Sequence, residues 1–382
     1  MARTLTTAEK LDWLQLCRSG GVGPQTFFKL LRRFGSARRA LEELPRLARE
    51  AGGEERWRRC RRDEVEDELA AIADLGCLLI ARDEAGYPRR LAEIADPPPL
   101  LIVRGRIELL EEPAIAVVGA RNASGNGRML ASSLASELAA AGLLVISGLA
   151  RGIDTAAHEG ALAAGAPTVA VIASGVDVAY PADNAELMER IAETGAIVSE
   201  RPLGAVPQAR HFPRRNRLIS GLSLGVVVVE AAPQSGSLIT ARLAAEQGRE
   251  VMAVPGSPLD PRHRGTNQLL RDGATLVESA ADVVAALGPL ALPEQRPAPR
   301  TTRPAPAPSP AAPAQLALEP AANGGDVIGR VCERLGPEPL LVDELIRQCQ
   351  ASTAEVQRAL MELELDGRLE RHPGNRVSLA PS

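Results

Sequence analysis

From position 114 onward the chain alternates short, largely apolar segments with longer amphipathic ones. The apolar segments lie at 115–118, 143–147, 168–172, 197–199, 224–229 and 251–254, and 275–277 adds a weaker one. The intervening stretches have helical length, roughly 10 to 18 residues. Strands that are apolar on both faces are typical of a parallel sheet covered by helices on each side. The alternation therefore predicts an α/β fold, an extended Rossmann-like doubly wound parallel sheet, which we place within residues 76–288.

The first 75 residues predict a helical domain of the SAM or helix-hairpin-helix type. Short helical patterns fill 7–47, and the sequence GVGPQTFFKLLRRFG at 21–35 places a glycine-rich turn before a helix. Such a turn can hold one DNA phosphate, or the helix can simply pack its apolar side chains in a bundle. Those side chains are Phe27, Leu30, Leu31 and Phe34. Residues 54–68 predict a charge-dense helix with a solvated face.

Two short segments lead into the main sheet. Residues 77–81 are apolar and predict a strand. A helix that begins near Tyr87 must end at the three prolines of 97–99, because proline lacks an N–H and restricts the residue before it. A second strand is expected between these prolines and Gly105.

Residues 289–323 separate the sheet from a C-terminal domain at 324–382. The segment is rich in proline and alanine, a composition that predicts a semi-rigid, extended linker. Beyond it, helical patterns at 325–335, 340–349 and 352–365 precede a hairpin pattern at 368–379. Three helices and a wing predict a winged helix.

The third helix of this domain, which would be its recognition helix, is acidic. The charged side chains there are Glu355, Glu362, Glu364 and Asp366 against Arg358. Because this charge would repel DNA phosphates, we expect the domain to contact protein or to self-associate. Arginines of the wing keep DNA binding open as an alternative; they are Arg368, Arg371 and Arg376.

The composition restricts where the protein works. Its five cysteines are odd in number and lack C-x-x-C spacing, which argues against a disulfide framework or a zinc site and predicts a reducing, cytoplasmic location. No uncharged run approaches the roughly 20 residues of a membrane span, so no membrane association is expected. The net charge is -4, and Lys10 and Lys29 are the only lysines. A nucleic-acid surface must therefore be a local patch of arginines.

Glycine, serine and arginine are concentrated where the predicted strands end. Ligands of doubly wound sheets bind outside the carboxyl ends of the strands, and helices that begin there attract anions. The sequences SGLARGIDTAAH at 147–158 and FPRRNR at 212–217 bring arginine, a bidentate phosphate binder, to two such places. The candidate contacts are Gly119, Arg121, Ser147, Gly148, Arg151, Phe212, Arg214, Arg215, Asn216, Arg217, Ser235, Gly236 and Ser237.

Two classes of nucleotide-binding enzyme have fingerprints that this chain lacks. A dinucleotide-binding dehydrogenase requires G-x-G-x-x-G after the first strand and an acidic residue after the second, where this chain has GARNASGNG at 119–127 and Gly148. A nucleotide hydrolase of the lysine-decarboxylase-like group would carry P-G-G-x-G-T and a following Glu, where this chain has PQSGSLIT at 233–240. We therefore predict no cofactor, no metal and no catalytic residue.

Four motifs together resemble the DprA family of DNA-processing proteins, also called Smf. They are VGAR at 118–121, SGLARGIDTAAH at 147–158, FPRRNRLISG at 212–221 and SGSLIT at 235–240, within a resemblance that spans residues 87–287. It implies an extended Rossmann domain that binds and shields incoming single-stranded DNA, forms a homodimer and hands the DNA to the RecA recombinase during natural transformation. The helical N-terminus and the winged helix fit the flanking domains of that family.

The residues themselves suit a single strand of DNA. Single strands need a positive groove along the backbone and flat surfaces for the bases. We expect Arg121 to project into the phosphate site. The arginines of 214–217 are expected to lie on an exposed loop and to supply a second set of phosphate contacts. Phe212 is the one aromatic side chain in place, so guanidinium groups would supply much of the stacking.

Several polar residues near these loops also have purely structural interpretations. Arg151 and Asp154 are spaced as a helix-start ion pair, which competes with DNA for Arg151. His158 is expected to pack or to support a neighbour rather than to catalyse, and Glu230 to cap the next helix or orient an arginine. The sequence thus predicts a non-enzymatic mediator of recombination that binds single-stranded DNA. A nucleotide-binding Rossmann enzyme of the hydrolase type and a winged-helix regulator with a sensory Rossmann domain are the alternatives.

Overall fold

The computed structural model describes residues 4–50, 58–288, 327–335, 340–349, 351–366, 368–372 and 376–379. The chain divides into two compact units on either side of position 291. The predicted linker and the tip of the predicted hairpin, 373–375, lie outside the described residues. The domain boundaries placed after residues 75, 288 and 323 stay predictions.

Four helices form the N-terminal part of the first unit. They are α1 Thr7–Arg18, α2 Pro24–Phe34, α3 Ala37–Glu50 and α4 Arg62–Asp74. Of the apolar side chains expected to pack, Phe27 and Leu30 are buried, whereas Leu31 and Phe34 are partly buried at the edge of the same core. Gly35 ends α2 in the left-handed conformation that glycine adopts without strain. The predicted helical domain is confirmed.

The charge-dense helix begins later than its sequence pattern predicts. Residues 54–57 lie outside the described part of the chain, and α4 begins at Arg62. The backbone of Cys60 is bonded elsewhere, because its N–H donates to Ser19 Oγ at 3.1 Å and its carbonyl accepts from Gln15 Nε2 at 2.8 Å. Because the N–H and carbonyl of Cys60 already have side-chain partners at the end of α1, they are not available for the hydrogen bonds of a helix.

Nine strands form one mixed sheet. They are β1 Leu78–Ala81, β2 Leu100–Gly105, β3 Ala114–Val118, β4 Leu144–Ser147, β5 Thr168–Val171, β6 Ala196–Ser199, β7 Gly225–Val228, β8 Glu250–Ala253 and β9 Thr275–Leu276. Their order is β1-β2-β6-β5-β4-β3-β7-β8-β9. The seven strands from β6 to β9 are parallel, and β2 and β1 extend the β6 edge in antiparallel pairing. The doubly wound parallel sheet is confirmed, and the lead-in segments join it as two extra strands.

Helices cover both faces of this sheet. They are α5 Arg89–Ala92, α6 Gly125–Ala140, α7 Ile153–Ala163, α8 Ala185–Thr194, α9 His211–Leu222, α10 Gly236–Glu246, α11 Arg264–Arg271 and α12 Ala280–Leu287. On one face, α5 and α9 bury Leu91 and Leu218 against the strands. On the other, α6 and α12 bury Leu134 and Val283. Within the described ranges, no helix combines the length and the apolar character needed to cross a bilayer.

The N-terminal helices and the sheet share one hydrophobic core. Phe27 of α2 and Leu44 of α3 belong to the same cluster of buried side chains as Met188 of α8 and Ile197 of β6. The helical domain is therefore packed onto the β6 side of the sheet, within the same compact unit.

The order of the parallel strands reverses at β3. The chain moves from β3 to β4, β5 and β6 in one direction, and then returns to pair β7 on the other side of β3. The connections that leave the carboxyl ends of β3 and β7 diverge, so a crevice opens between them. A doubly wound sheet binds its ligand at such a position.

The second unit is a small winged helix. It consists of α13 Val327–Arg334, β10 Leu340–Leu341, α14 Val342–Cys349, α15 Thr353–Leu365, β11 Leu369–His372 and β12 Arg376–Leu379. The three strands pair in the order β10-β12-β11, and the helices bury Val331, Leu345 and Leu360 in a core of their own. The predicted three helices and wing are confirmed.

Candidate functional site

An open groove lies at the crevice, along the carboxyl edge of the sheet. It comprises two cavities of about 820 and 580 Å³ that share part of their lining. The shared residues include Arg121, Asn122, Ala150, Tyr180 and Phe212. We call this surface the edge groove. Connections that follow β3, β4, β5 and β7 all contribute to it, so its shape is fixed by the central strands of the sheet.

Most of the contacts predicted from the sequence line the edge groove. They are Gly119, Arg121, Gly148, Arg151, Phe212, Arg215, Asn216, Ser235, Gly236 and Ser237. The remaining three, Ser147, Arg214 and Arg217, lie elsewhere. The structure thus brings together residues that are more than a hundred positions apart in the sequence.

Arg121 lies over an aromatic ring in the edge groove. Its guanidinium carbon is 4.6 Å from the centroid of the Phe212 ring, a cation–π contact. The Tyr180 ring packs against Phe212 at 5.7 Å between centroids and 51° between planes, and Tyr180 is 48% exposed. The prediction that Phe212 is the only aromatic side chain in place is therefore wrong, because Tyr180 packs against it in the same groove.

Arg215 places a buried positive charge beneath this surface. Its Nη1 donates a 2.6 Å hydrogen bond to the carbonyl of Val171 at the end of β5. Burial lowers the pKa of the guanidinium to about 10, the neighbouring carboxylate of Asp154 opposes this lowering, and the charge of Arg121 adds to it. Arg215 is still a cation at neutral pH, so the groove floor attracts anions.

The loop after β4 is ordered by Asp154. Its carboxylate accepts hydrogen bonds from the N–H groups of Gly148 at 3.1 Å and Ala150 at 3.4 Å. Arg151 instead forms an exposed ion pair with Asp183, with 2.7 Å between Nη2 and Oδ2. The predicted Arg151–Asp154 pair is therefore wrong, because the Asp154 side chain turns inward to the backbone.

The N-terminus of α10 forms the opposite wall of the edge groove. Ser235 is the N-cap, and its Oγ lies 2.7 Å from Ser237 Oγ. Asn216 Nδ2 on α9 donates to the Gly236 carbonyl at 3.2 Å and so fixes this wall against α9. N–H groups and the positive end of the helix dipole face the groove here, which favours a negatively charged ligand.

The arginine cluster of 214–217 belongs to a helix, and the prediction of an exposed loop is wrong. The cluster lies in the first half of α9, where successive side chains turn by about 100°. Arg215 therefore faces the edge groove, whereas Arg214 and Arg217 line a different cavity of about 410 Å³ beside the N-terminal helices. Phe212 lies three positions before Arg215 and four before Asn216, so these three side chains share one side of the helix.

Arg217 is buried rather than available at the surface. It is 6% exposed, and it forms ion pairs with Glu200 and Asp96 at 2.5 and 3.3 Å. Arg217 does not line the edge groove, so its predicted contact with DNA is not expected there. Apolar neighbours on α9, Leu218 and Ile219, hold this turn of the helix against the sheet.

Ser147 is fully buried at the end of β4. Its hydroxyl donates a 2.7 Å hydrogen bond to the Val117 carbonyl on β3. The side chain joins the two strands and does not line the edge groove.

His158 and Glu230 have structural partners. His158 is fully buried with Nδ1 2.8 Å from Thr168 Oγ1, and burial lowers its pKa to about 3. The predicted packing role is confirmed. Glu230 accepts hydrogen bonds from the N–H and hydroxyl of Ser124, at 2.9 and 2.5 Å. Ser124 is the N-cap of α6, so Glu230 supports the start of that helix. The prediction that it caps the next helix in the chain or orients an arginine is therefore wrong.

Sequence reasoning missed several residues that line the edge groove. They are Asn122, Tyr180, Gln234 and Arg262. Arg262 lies in the connection after β8, where it forms an ion pair with Asp260 at 2.7 Å. The rule that ligands lie at the carboxyl ends of strands applied to these connections too, but only contacts across the groove identify the individual side chains. Within the described ranges, no group of three or more His, Cys, Asp and Glu residues is placed to hold a metal ion.

Three family profiles match the chain in order. The profile described as "DNA recombination-mediator protein A" matches residues 78–288. The profile described as "DprA-like N-terminal HHH domain" matches residues 7–71, and "DprA winged helix domain" matches residues 297–375.

Individual relatives agree with these profiles. The chain is 38% identical to "Protein Smf" of Escherichia coli over 324 residues, which covers 83% of this chain and 82% of the relative. The crystal structure of DNA processing protein A from Streptococcus pneumoniae superposes with a TM-score of 0.62 at 34% identity, covering 74% of this chain and 98% of the other. A structure that concerns the single-stranded DNA binding mode of DNA processing protein A from Helicobacter pylori has a TM-score of 0.50 at 30% identity, with coverages of 55% and 95%.

Proposed function

Because this chain belongs to the DprA family of DNA-processing proteins, also called Smf, we propose that it binds single-stranded DNA along the edge groove and acts as a recombination mediator. The relative from Helicobacter pylori, described by its single-stranded DNA binding mode, supports this choice of ligand. The observation that carries the proposal within this chain is the stack of Arg121 on Phe212, with Tyr180 packed against Phe212 and the buried charge of Arg215 in the same groove.

This stack offers both kinds of contact that a single strand needs. Phe212 and Tyr180 present flat, sequence-tolerant surfaces, and base stacking on such surfaces is worth about 1–3 kcal/mol per base. Arg121 is exposed beside them and can either stack on a base or bind a phosphate bidentately. Bases in a duplex are already stacked on each other, so this surface favours single strands.

The remaining walls suit phosphates. The first turn of α10 supplies the N–H donor of Gly236, since the N–H of Ser237 is capped by Ser235 Oγ, and the floor supplies the Arg215 charge. Arg151 stands at one end, where its exposed pair with Asp183 is worth at most about 1 kcal/mol and can be exchanged for a phosphate. The two connected cavities, of about 820 and 580 Å³, give room for more than one nucleotide.

We also propose that the protein is non-enzymatic. His158 and Glu230, the two residues that the sequence raised as candidates for proton transfer, have structural partners, since His158 is buried and neutral and Glu230 is bonded to Ser124. Homodimer formation, protection of incoming DNA, loading of RecA during natural transformation and a cytoplasmic location are parts of the proposal that rest on family membership.

A titration with three ligands tests the proposed function. Fluorescently labelled oligo-dT, a duplex of equal length and a mononucleotide are each titrated at two salt concentrations. We expect oligo-dT to bind most tightly, with an affinity that falls as salt rises, because phosphate contacts release counterions. Preference for the mononucleotide, together with its turnover, would establish the enzyme alternative. Sequence-specific duplex binding would establish the winged-helix regulator.

A further inference from the structure

A second basic cavity lies between the N-terminal helices and α9. Its volume is about 410 Å³. The first turn of α2 forms one wall, from Gly23 to Thr26, and Arg18 borders it at the end of α1. Arg201, Arg214 and Arg217 line the side that belongs to the sheet domain. We call it the hairpin cavity, after the turn between α1 and α2.

The helix start in this cavity is open to a ligand. The 11-residue helix α2 begins at Pro24, and its N-cap Gly23 has no side chain to bond the free N–H groups. The N–H groups of the first turn have no acceptor within the helix, and those of Gln25 and Thr26 lie in residues that line the cavity. The dipole of α2 adds positive potential at the same point.

A buried arginine atom provides a second, independent indication. Arg217 is 6% exposed, and its Nε and Nη2 sides are paired with Asp96 and Glu200, yet its Nη1 has no hydrogen-bond partner among the described residues. A buried N–H donor without a partner is costly, and a ligand oxygen in the cavity would satisfy it.

The cavity also has positive charge in excess. Glu200 and Asp96 pair with Arg217, and Glu68 pairs with Arg18. In the described part of the chain, Arg201 and Arg214 have no ion-pair partner. Burial lowers the pKa of Arg201, and the charges of Arg214, Arg18 and Arg210 lower it further against the opposing effect of Glu200. An anion would relieve this repulsion.

The geometry points to the hairpin cavity as a second phosphate-binding site, which takes a backbone phosphate of the same single strand that occupies the edge groove. The choice of ligand rests on the proposed function. Pro213 lines the edge groove and the next residue, Arg214, lines the hairpin cavity, so only the start of α9 separates the two. Arg210, exposed at the N-cap of α9, offers a charge on that ridge. A strand that leaves the edge groove over α9 reaches Arg214 next.

The length dependence of binding tests this site. We compare the parent with a variant carrying Arg201→Ala and Arg214→Ala, using oligo-dT of about 5 and about 20 nucleotides. The double variant should bind the long oligonucleotide roughly five- to tenfold more weakly and the short one normally. Its salt slope on the long oligonucleotide should fall by about 0.7 for each phosphate that the variant no longer binds. Arg190→Ala on α8, which removes an exposed arginine away from both cavities, is the matched control and should bind both lengths like the parent.

A substitution at Gly23 separates folding from binding. The position has open space for a side chain and a φ of -89°, so Gly23→Asp and Gly23→Asn fit the backbone and cap α2. Both variants should melt at the parent's temperature or above. Gly23→Asp should weaken binding of the long oligonucleotide more than Gly23→Asn does, because its charge repels phosphate. Equal binding by both variants and the parent would overturn the proposal.

The outcomes also separate this proposal from the proposed function. Arg121→Ala should weaken both lengths, whereas the double variant should weaken only the long one. A double variant that binds both lengths like the parent, or that binds both more weakly to the same degree, overturns the second site.

If the parent binds no oligonucleotide, the proposed function fails, and inorganic pyrophosphate then serves as the probe. A rise in melting temperature with pyrophosphate in both the parent and the Arg190→Ala control, but not in the double variant, would show a site for free anions only and would overturn the assignment to a DNA strand.

Discussion

The guanidinium of Arg215 fills the space that a side chain at Gly148 would need. A Cβ at Gly148 would lie 1.8 Å from Arg215 Nη1 and 2.7 Å from Asp154 Oδ2. Position 148 in the loop after β4 therefore requires glycine, because Arg215 of α9 occupies the space beside it. The loop and α9 pack directly against each other.

Gly148→Ala should therefore destabilise the protein and distort the edge groove. Overpacking in a filled interior costs about 1–3 kcal/mol, and the displaced Arg215 would lose its bond to Val171. Thermal or urea unfolding measures the loss, with Gly236→Ala as the control, since a Cβ there meets nothing within 4 Å. An unchanged free energy of unfolding for Gly148→Ala would show that Arg215 moves aside freely.

Arg121→Ala and Phe212→Ala should each weaken binding of oligo-dT with little change in melting temperature. Arg121 is exposed and Phe212 partly exposed, so neither change opens a large cavity. The expected loss of binding free energy is about 1–3 kcal/mol for each, because base stacking and phosphate binding are weakened. Arg121→Lys should retain the phosphate interaction but not the stacking. Fluorescence anisotropy measures these affinities, and parent-like binding by both alanine variants would mean that the strand lies elsewhere.

Arg217→Ala should mainly destabilise the fold. It leaves the largely buried carboxylate of Glu200 without its partner, a change that typically costs about 3 kcal/mol. Adding Glu200→Gln should restore part of the loss, because the uncompensated charge disappears. Urea unfolding measures the free energy of unfolding of the parent, the single variant and the double variant. A single variant as stable as the parent would show that Glu200 is protonated or solvated without Arg217.

Stability should fall as pH drops below about 6.5 because of His158. Burial lowers the pKa of this side chain to about 3 in the folded state, against an ordinary value of 6.5. Between these values the unfolded chain binds a proton that the folded chain does not, so the free energy of unfolding falls with decreasing pH. The slope from this residue is at most about 1.4 kcal/mol per pH unit. His158→Asn should be less stable at pH 7.5 and should show a shallower decline, which urea unfolding at pH 7.5, 6.0 and 5.0 measures. Parallel declines of parent and variant would assign the pH effect to other groups.

A chain that ends at Gly288 should still bind oligo-dT. The first unit has its own cores and contains the whole edge groove. On α15 the acidic side chains Glu355 and Glu362 are exposed, and Glu364 already pairs with Arg371 of the wing at 2.9 Å. Removal of the second unit should therefore change affinity less than about tenfold, or about 1.4 kcal/mol. A larger loss in side-by-side titrations would show that the wing arginines contact DNA.

The fold was predictable because its strongest signals are local. Apolar strands such as β3 and β7 differ from amphipathic helices in period, and that period is readable without tertiary contacts. The composition of the edge groove followed from a general rule about carboxyl ends of parallel strands. The direction of each side chain did not follow. Tyr180 meets Phe212 only through the tertiary fold.

The arginines of α9 carry a helical signal that their composition hides. Proline and charge in FPRRNR favour a loop, because both are typical of loops. The apolar continuation at Leu218 and Ile219 nevertheless gives a helical period, on which Phe212, Arg215, Asn216 and Ile219 share one face and Arg214 and Arg217 lie off it. Glu200 and Asp96, the partners of Arg217, are distant in sequence, so its burial could not be inferred.

The shared core of the N-terminal helices and the sheet fixes the separation between the edge groove and the hairpin cavity. Phe27, one residue after the first turn of α2, is fully buried in the same cluster as Ile197 of β6. The distance between the two anion sites is therefore fixed. A flexible strand that occupies both must span this distance with a whole number of nucleotides. Affinity plotted against oligonucleotide length should then rise in a step at the length that first reaches the hairpin cavity, and not as a smooth curve.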